Sequence, residues 1–267
     1  MNKISVAIAT FNEGKNIGRC LKSVASWVDE IVLVDGSSAD KTVEIAKKYK
    51  AKVIICDNPP IFHINKQKAI DNCKGEWILQ LDADEIVTEE LKDEILSIIN
   101  PQPTAYNRQP INGYWIPRKN LFLGRFLNKG GQYPDYTLRL YKRGKGRLPC
   151  KSVHEQAEVD GVAGYLKNPL FHYAYSDFSH YLTHFNLYTD ILAEELVSQR
   201  ISFNCLSICS NMFIKPVYWF LLTYIRHKGF QDGFAGFVFS LFSALRFPTA
   251  YIKYWEKVNK RNNEIPL

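Results

Sequence analysis

Apolar strand-forming runs alternate with helical patterns over residues 1–100 of this 267-residue chain. Residues 4–9 form a continuous β-prone run that ends in a polar loop at 10–14. A helical pattern follows through Ile17, Leu21 and Val24. The same alternation continues with strands at 30–34, 52–56 and 77–81 and helices at 42–49 and 65–72. Because continuously apolar strands are covered on both faces, the pattern predicts an α/β fold with a mostly parallel sheet flanked by helices.

The alternation ends at the three prolines within residues 101–110, which interrupt any helix. Residues 113–140 are predicted to form strands and loops, and a helix is predicted at 177–200 with Asp177 as its N-cap. The predicted domains are an α/β domain at 1–175, with halves at about 1–100 and 101–175, and a helical extension at 176–267.

Positive charge is concentrated in the second part of the chain. Of 34 Lys and Arg and 27 Asp and Glu, residues 1–100 hold 13 and 16, and residues 101–267 hold 21 and 11. A basic surface attracts phosphates, nucleic acid or an anionic membrane. Since no nucleic-acid-binding motif accompanies the charge, nucleic acid is not an expected partner.

Residues 125–151 carry eight basic side chains against one acid, Asp135. A charge run of this kind either forms a solvated face or binds an anion, such as a diphosphate, a phosphorylated acceptor or lipid headgroups. We expect anion binding. The run comprises Arg125, Lys129, Arg139, Lys142, Arg143, Lys145, Arg147 and Lys151.

The last third of the chain holds two apolar, aromatic runs, at 217–225 and 234–247. At about 1.5 Å per residue the second run is about 21 Å long, shorter than a hydrocarbon core of ~30 Å. On a helix its large apolar residues share one face, which predicts an element lying in the membrane interface. The alternative is a helical hairpin that packs on the sheet or in an oligomer contact, so oligomerisation stays open.

The chain is predicted to work in the cytoplasm, peripherally on the inner face of the cytoplasmic membrane. Its six cysteines show no CxxC pair and no metal-ligand spacing, which favours a reducing compartment. The short apolar run at 4–9 is not expected to act as a signal peptide.

The strongest chemical signal is the acidic sequence Asp82-Ala83-Asp84-Glu85, directly after an apolar strand. Carboxylates one residue apart at a strand end can converge on Mg²⁺ or Mn²⁺, which typically takes one or two protein carboxylates together with substrate phosphate oxygens. We therefore expect Asp84 and Asp82 as metal ligands, although such a sequence is often only a solvated turn.

Two other strand ends are suited to a nucleotide. Asp35 ends the second strand and can accept a hydrogen bond from a nucleobase imide. The loop Thr10-Phe11-Asn12-Glu13 offers backbone N–H groups and an aromatic ring to a base or ribose. Neither a G-x-G-x-x-G nor a G-x-x-x-x-G-K-[ST] sequence occurs, which argues against dinucleotide cofactors and P-loop NTPases.

Several motifs, in their order, resemble the N-terminal half of glycosyltransferase family 2, which has the GT-A fold. They are A-T-F-N-E, V-D-G-S-S-A-D-K-T, Lys66 sixteen residues before Asp82, and K-G-E-W-I-L-Q-L-D-A-D-E. The resemblance covers about residues 4–90. It implies nucleotide contacts by Phe11, Glu13 and Asp35, and a diphosphate contact by Lys66. It also implies metal coordination by Asp84, with Asp82 close to the ribose and the metal.

Downstream motifs are similar to a bacterial subgroup that includes lipopolysaccharide inner-core β-glucosyltransferases. They are P-D-Y-T-L-R-L-Y-K-R-G-K-G-R, S-V-H-E, L-F-H-Y-A-Y-S, R-H-K-G-F-Q-D-G-F-A-G and Y-I-K-Y-W-E. This resemblance implies a nucleotide-sugar donor, expected to be UDP-linked, and a lipid-linked saccharide acceptor in a membrane.

An inverting transfer needs a general base for the acceptor hydroxyl. Glu155 is the first candidate because its motif resembles the acceptor-side acidic element of the family, and Asp135 is the second. His154 would orient Glu155, contact the donor phosphates or serve only the structure. Arg139 is expected among the donor-binding residues.

The resulting hypothesis is a metal-dependent inverting glycosyltransferase that moves a hexose, expected to be glucose from a UDP-sugar, to a lipid-linked saccharide such as lipopolysaccharide core. One alternative keeps the fold and changes the acceptor to polyprenyl phosphate or a protein or peptide. A sugar nucleotidyltransferase would need a Gly-rich, basic first loop, which residues 9–14 lack. A non-enzyme alternative is a membrane-tethered module that binds a nucleotide or glycan.

Overall fold

The computed structural model describes residues 3–100, 110–151 and 156–263, and the side chains up to residue 260. The chain forms two compact units. One comprises Met1–Lys119 and Pro134–His172, and the other Asn120–Tyr133 and Tyr173–Leu267. The predicted division at 175–176 stays a prediction.

Twelve strands are present in the described part of the chain. They are β1 (Ile4–Thr10), β2 (Glu30–Asp35), β3 (Lys52–Ile55), β4 (Trp77–Asp82), β5 (Glu85–Val87), β6 (Ile111–Phe122), β7 (Arg125–Phe126), β8 (Asp135–Lys142), β9 (Gly146–Arg147), β10 (Glu158–Val159), β11 (Val162–Tyr165) and β12 (Leu170–His172). The helices of the first unit are α1 (Ile17–Val24), α2 (Thr42–Lys48), α3 (His63–Asp71) and α4 (Glu89–Ile99).

The main sheet has the strand order β3-β2-β1-β4-β8-β6-β12-β5. Strands β1 to β4 are parallel, as the alternation of strands and helices predicts. Beyond β4 the sheet continues with antiparallel pairs, β4 with β8 and β8 with β6, while β11 pairs in parallel with β6. The predicted α/β fold is therefore confirmed, with a sheet that is parallel in its first half and mixed in its second.

Both faces of the parallel half are buried. Val6 and Ile8 of β1 point into a core with α1 and α4, whereas Ala7 points into a second core with α3. Alternate residues of a strand face opposite sides of a sheet, so an uninterrupted apolar run is required where helices cover both sides.

Strand register brings three polar strand ends to one edge of the sheet. Thr10 pairs with Asp35, and Ala9 pairs with Asp82. Strand β8 is antiparallel to β4 and begins at Asp135, so its start lies at the edge where β4 ends. Ligands of parallel sheets bind beyond these carboxyl ends.

The second unit is mainly helical. Its elements are α5 (Phe178–Ser198), α6 (Cys205–Cys209), α7 (Lys215–Phe220) and α8 (Gly233–Asn263), with π-helical turns at Ser210–Ile214 and Leu221–Arg226 and a 3-10 turn at Gly229–Asp232. The Asp177 side chain accepts a hydrogen bond from the His180 N–H at 2.8 Å, which confirms the predicted N-cap of α5. Phe122, Tyr181 and Val238 form an aromatic-rich core within this unit.

The segment Cys205–Arg226 is a continuous, strongly exposed apolar helix, and only 6% of its most apolar 18-residue stretch is buried. We refer to it as the apolar helix. It and Gly229–Lys260 are long and apolar enough to cross a membrane by length and composition alone. The predicted run at 234–247 lies inside α8, where Phe234 is 75% exposed while Ser240 is fully buried.

Candidate active site

The loop after β1 is locked to the end of β2 by hydrogen bonds. Asp35 is fully buried, and its carboxylate accepts from Thr10 Oγ1 at 3.0 Å and from the Ser38 backbone N–H at 2.8 Å. The Asn12 N–H donates to Ser38 Oγ at 2.8 Å. Asn12 has a φ of 57°, in the left-handed region that Asn tolerates better than most residues. The predicted nucleotide side of the site is therefore a fixed, preformed loop.

Phe11 and Glu13 both line a cavity beside this loop. Phe11 is 46% exposed and presents its ring to solvent. Burial raises the pKa of Glu13 above its ordinary value, although the hydrogen bond from Asn16 opposes the shift, and the nearby Asp84 carboxylate adds to it. A carboxyl group of this kind is suited to accept a hydrogen bond from a ligand hydroxyl or N–H.

Asp82, at the end of β4, is held between two cations. Its Oδ1 contacts Lys66 Nζ of α3, and its Oδ2 accepts from Arg139 of β8 at 2.5 Å. Burial favours the neutral acid, but the charges of Arg139 and Lys66 outweigh it and hold the pKa of Asp82 well below its ordinary value. Asp82 is therefore ionised at neutral pH in the free protein.

Glu85 connects the Asp82 backbone to Arg139. It is fully buried, and its Oε2 accepts from the Asp82 N–H at 2.9 Å. Its Oε1 accepts from Arg139 at 2.8 Å and lies 3.5 Å from Arg118 Nη1. Burial disfavours the Arg139 cation, but the two carboxylates more than compensate and raise its pKa. The network fixes the turn that carries Asp84.

Asp84 points away from this cluster, toward His172 at the end of β12. Its Oδ2 lies 3.2 Å from His172 Nε2. A carboxylate oxygen and an imidazole nitrogen at this separation are both ligand types for divalent metals.

Two neighbouring cavities share the Lys66–Asp82 pair as a wall. The first has a volume of about 350 Å³ and is lined by Thr10, Phe11, Glu13, Asn58, Asn65, Asp84 and His172, among others. The second has a volume of about 270 Å³ and is lined by His63, Gln80, Arg118, Asp135, Thr137, Arg139 and Gln156, among others. Phe62, Lys66 and Asp82 line both.

Three residues that line the second cavity each carry a buried polar atom without a hydrogen-bond partner among the described residues. These atoms are Gln80 Nε2, Thr137 Oγ1 and Arg139 Nε. Buried polar atoms are almost always paired, and an unpaired one costs about 1–3 kcal/mol. With these residues in its lining, the second cavity is polar and suited to a ligand that forms hydrogen bonds.

The predicted site residues therefore fall into three groups. Thr10, Phe11, Glu13, Lys66, Asp82 and Asp84 lie around the first cavity, and Asp135 and Arg139 line the second. Asp35 is buried behind the first loop. Glu155 and His154 lie outside the described residues.

The basic run at 125–151 is spread along β8 and beyond it. Of its members, Arg139 reaches Asp82, while Lys142 pairs in register with Trp77 at the opposite end of β4. Lys145 and Arg147 form ion pairs with Asp160 and Glu158. Position along β8, rather than charge density, decides which basic side chain meets Asp82.

Sequence reasoning gave no role to His172, Arg118, Gln80 or Thr137. His172 lies within the motif L-F-H-Y-A-Y-S, 88 positions after Asp84, and only the pairing of β12 with β5 brings the two together. Arg118 meets Asp135 through the pairing of β6 with β8. For His172 the sequence signal was a polar residue at the end of a predicted strand. Its contact with Asp84 depends on sheet register and has no local signal.

The donor set is compatible with a divalent cation only in combination with a substrate. Within residues 3–100, 110–151 and 156–263, no group of three or more His, Cys, Asp or Glu side chains is arranged to hold a metal. Asp84 and His172 supply two donors, and Mg²⁺ or Mn²⁺ commonly completes its shell with phosphate oxygens and water. The residues therefore fit a metal that arrives with a diphosphate.

A model of the family described as Glycosyl transferase family 2 matches residues 5–154 of the chain. An uncharacterized glycosyltransferase of Rickettsia felis is 30% identical over 99% of this chain and 94% of its own. The Rhizobium meliloti lipopolysaccharide core biosynthesis glycosyltransferase LpsC is 27% identical, over 91% of this chain and 88% of its own. Among solved structures, S. aureus TarS 1–349 in complex with UDP-GlcNAc is 18% identical over 94% of this chain and 88% of that chain, with a TM-score of 0.49.

The sheet, the site and these relatives define the class: the chain is a glycosyltransferase. It belongs to glycosyltransferase family 2. Membership of this family, together with the observed strand order, confirms the predicted GT-A fold.

Proposed function

We propose that this family 2 enzyme is a metal-dependent, inverting hexosyltransferase that uses a UDP-sugar and acts on a lipid-linked saccharide at the inner face of the cytoplasmic membrane. The observation that carries the proposal is the pair of cavities divided by the Lys66–Asp82 ion pair. One cavity offers a nucleotide loop and metal donors, and the other has a polar lining suited to a sugar.

The nucleotide is proposed to occupy the first cavity. Phe11 would contact the base or ribose, and Glu13 would accept from a ligand hydroxyl or N–H. Asp35 is buried and bonded to Thr10 and Ser38, so it would have to be uncovered to contact the base and otherwise holds the loop in place. The preformed hydrogen bonds of the loop support this placement, because a rigid site loses little conformational freedom on binding.

The diphosphate is proposed to lie between Asp84 and Lys66. Asp84 and His172 would hold Mg²⁺ or Mn²⁺, and a bound cation supplies positive charge that stabilises the departing diphosphate. Lys66 would contact a phosphate oxygen directly. Asp82 has an ion-pair partner on each oxygen, so it would have to release one of them to act as the second metal ligand predicted from the sequence.

The hexose is proposed to occupy the second cavity. Gln80 and Thr137 would form hydrogen bonds with sugar hydroxyls, and Arg139 would present its Nε–H. The charged side chains of the lining have both signs, with Lys66, Arg118 and Arg139 balanced in part by Asp82 and Asp135. A neutral, hydroxyl-rich ring suits this lining better than a phosphate does.

The general base is proposed to be Glu155, with Asp135 as the alternative. Gln156, which follows Glu155 in the chain, lines the second cavity and supports this choice. Asp135 lines the same cavity, and its Oδ2 accepts two hydrogen bonds from Arg118, at 2.8 and 2.9 Å. The carboxylate would take the acceptor hydroxyl proton as the bond from the anomeric carbon to the diphosphate oxygen breaks.

A lipid-linked acceptor is supported by the second unit and by one relative. The apolar helix exposes Phe213, Ile214 and Val217 by 59–64%. Large exposed apolar surfaces mark membrane or protein contacts. LpsC is named for lipopolysaccharide core biosynthesis, and we extend that acceptor class to this chain.

The proposed donor site is tested by thermal stabilisation across a panel of nucleotide sugars, with Mn²⁺, Mg²⁺ or EDTA. We expect UDP-sugars to raise the melting temperature in the presence of metal, and Asp84→Ala and His172→Ala to abolish the metal-dependent part. Asp93→Ala removes an exposed carboxylate of α4 and serves as the matched control. If no nucleotide sugar stabilises the wild-type protein with either metal, the proposal fails.

A further inference from the structure

Arg246, in α8, is a half-buried cation that forms no hydrogen bond or ion pair with any described residue. Its guanidinium lies over the Trp219 ring at 4.3 Å and over the Phe247 ring at 4.8 Å. Aromatic faces attract the cation but occupy none of its five N–H donors. The donors of Arg246 therefore stay available to an anion.

Two cavities of the second unit meet at Arg246 and Tyr188. The larger has a volume of about 320 Å³ and an aromatic lining that includes Tyr175, Tyr181, Phe239 and Phe242. The smaller has a volume of about 170 Å³ and is lined by Lys215, Asn211, Gln199 and Glu195, among others.

The charge around Arg246 is not neutralised locally. The lining of the larger cavity contains no carboxylate among the described residues. The smaller cavity contributes Glu195, but also Lys215, so the two cavities together carry a net positive charge. A partly desolvated guanidinium is favourable when it meets a phosphate or carboxylate through paired hydrogen bonds.

The aromatic lining of the larger cavity indicates which kind of anion would fit beside Arg246. Tyr and Phe rings provide apolar contact area, and the Tyr hydroxyls and His184 add polar contacts at the same cavity. A bare phosphate would leave these rings without contact. The lining instead fits a phosphate attached to an apolar or sugar-bearing group.

The position of Arg246 links it to the exposed apolar surface. Trp219, which stacks on Arg246, belongs to the apolar helix. Its neighbours Val217, Tyr218 and Leu221 are 51–59% exposed. An arginine at such a surface lies where lipid phosphates would be if that surface contacts a bilayer.

We propose that Arg246 and the larger aromatic cavity form a binding site for the phosphate headgroup of a lipid, separate from the donor site. The inference rests on the proposed membrane association and adds a specific phosphate contact to it. Either the acceptor lipid or a bilayer phospholipid would supply this headgroup, since both carry the same phosphate chemistry.

The test measures binding of dihexanoyl phosphatidic acid, dihexanoyl phosphatidylcholine and inorganic phosphate to the full-length protein by calorimetry. We expect phosphatidic acid to bind most tightly, and Arg246→Gln to weaken it at least about tenfold, the loss that charge-assisted hydrogen bonds of about 1.5–3 kcal/mol imply. Arg226→Gln removes an exposed charge from the apolar helix and should change the affinity for phosphatidic acid less than about threefold.

Arg246→Lys provides a second variant in case Arg246→Gln fails to fold. It keeps the charge and loses the planar fork, so intermediate affinity is expected. UDP-sugar binding reports on the first unit and separates a failure of this site from a failure of the donor site. Equal losses in Arg246→Gln and Arg226→Gln, no binding of phosphatidic acid, or equal affinity for inorganic phosphate would overturn the proposal.

Partition into vesicles identifies the source of the headgroup. Binding to phosphatidylcholine vesicles that rises with added phosphatidic acid and depends on Arg246 supports a bilayer phospholipid. Binding to vesicles that rises only with a phosphorylated glycolipid, again with dependence on Arg246, supports the acceptor. Vesicle binding that is the same for wild type and Arg246→Gln contradicts both.

Discussion

Asp82 shows how a few residues set the electrostatics of the donor site. Two cations and one backbone N–H surround this strand end, and Glu85 supports both Arg139 and the Asp82 backbone. Lys66 and Arg139 place two positive charges next to the position proposed for a diphosphate. In the free protein the carboxylates of Asp82 and Glu85 neutralise these charges. A ligand phosphate could then take over part of the role of Asp82 toward Lys66.

Replacing Asp82 by Asn should lower the free energy of unfolding at pH 7 by roughly 2–3 kcal/mol, because it leaves Lys66 and Arg139 with one carboxylate fewer. The folded-state pKa of Asp82 lies below its unfolded value of ~3.9, so the contribution is complete above that pH and is lost as the pH falls toward the folded-state pKa. Between pH 7 and pH 3 the difference in free energy of unfolding between wild type and Asp82→Asn should shrink by about 1 kcal/mol. Urea denaturation at both pH values measures it, with Asp93→Asn as control. A difference that is independent of pH would contradict the assignment.

Thr137→Val should separate sugar binding from nucleotide binding. The substitution keeps the side-chain shape and removes a hydroxyl that has no partner in the described structure. We expect the affinity for UDP to stay constant and the affinity for the preferred UDP-sugar to fall by roughly three- to tenfold, the value of one hydrogen bond of about 0.5–1.5 kcal/mol. Titration calorimetry with both ligands measures this, and Thr183→Val on α5 is the control. An equal loss for UDP and UDP-sugar would show that the second cavity does not hold the hexose.

At the scale of elements, local patterns predicted the parallel half of the sheet well. Strands β1 to β4 and their helices follow from runs of residues adjacent in sequence. The antiparallel pairing of β8 with β4, and of β12 with β5, joins segments that are about 60 and 85 positions apart, and no local pattern sets their register. Arg139 and His172 enter the site through these pairings. Arg139 was expected there from the sequence, but its contact with Asp82 was not, and His172 was not predicted at all.

Helix α8 exposes part of its large apolar face and buries its small-residue face. Large residues such as Phe234 are exposed, and the small face with Gly236 and Ser240 is buried. Gly236 lies so close to the turn at Gly229 that an added Cβ would be 2.0 Å from the Gly229 carbonyl oxygen. The small-residue face packs inward because it allows this close backbone contact.

Gly236→Ala should therefore destabilise the protein, and Gly18→Ala should not. At Gly236 the new methyl group collides with backbone, which costs roughly 1–3 kcal/mol or more. At Gly18, in α1, the nearest atom would be 3.6 Å away, so the gain in helix propensity should raise stability by about 0.5–1 kcal/mol. Thermal unfolding followed by circular dichroism compares the two variants. If both have the same sign, the close contact at Gly236 is wrong.

At the scale of the whole molecule, the chain combines a sheet unit that carries the donor site with a helical unit that exposes apolar surface. The uneven distribution of charged residues and aromatic runs led to a predicted division at 175–176, which stays a prediction. The predicted interfacial surface was assigned to residues 234–247, whereas the most exposed apolar segment is the apolar helix. An amphipathic pattern within one helix does not predict which of its faces neighbouring helices will bury.

The central claim is that metal-dependent sugar transfer takes place at Asp84 and His172. The most direct test is the turnover of UDP-glucose, as transfer to lipopolysaccharide core or as hydrolysis, in the presence of Mn²⁺ or Mg²⁺. Wild type and Asp93→Ala should turn over at the same rate, EDTA should abolish turnover, and Asp84→Ala and His172→Ala should each lose roughly 100-fold or more, as removal of a group that stabilises transition-state charge does. Full turnover by Asp84→Ala, or turnover by wild type that is unaffected by EDTA, would contradict the account.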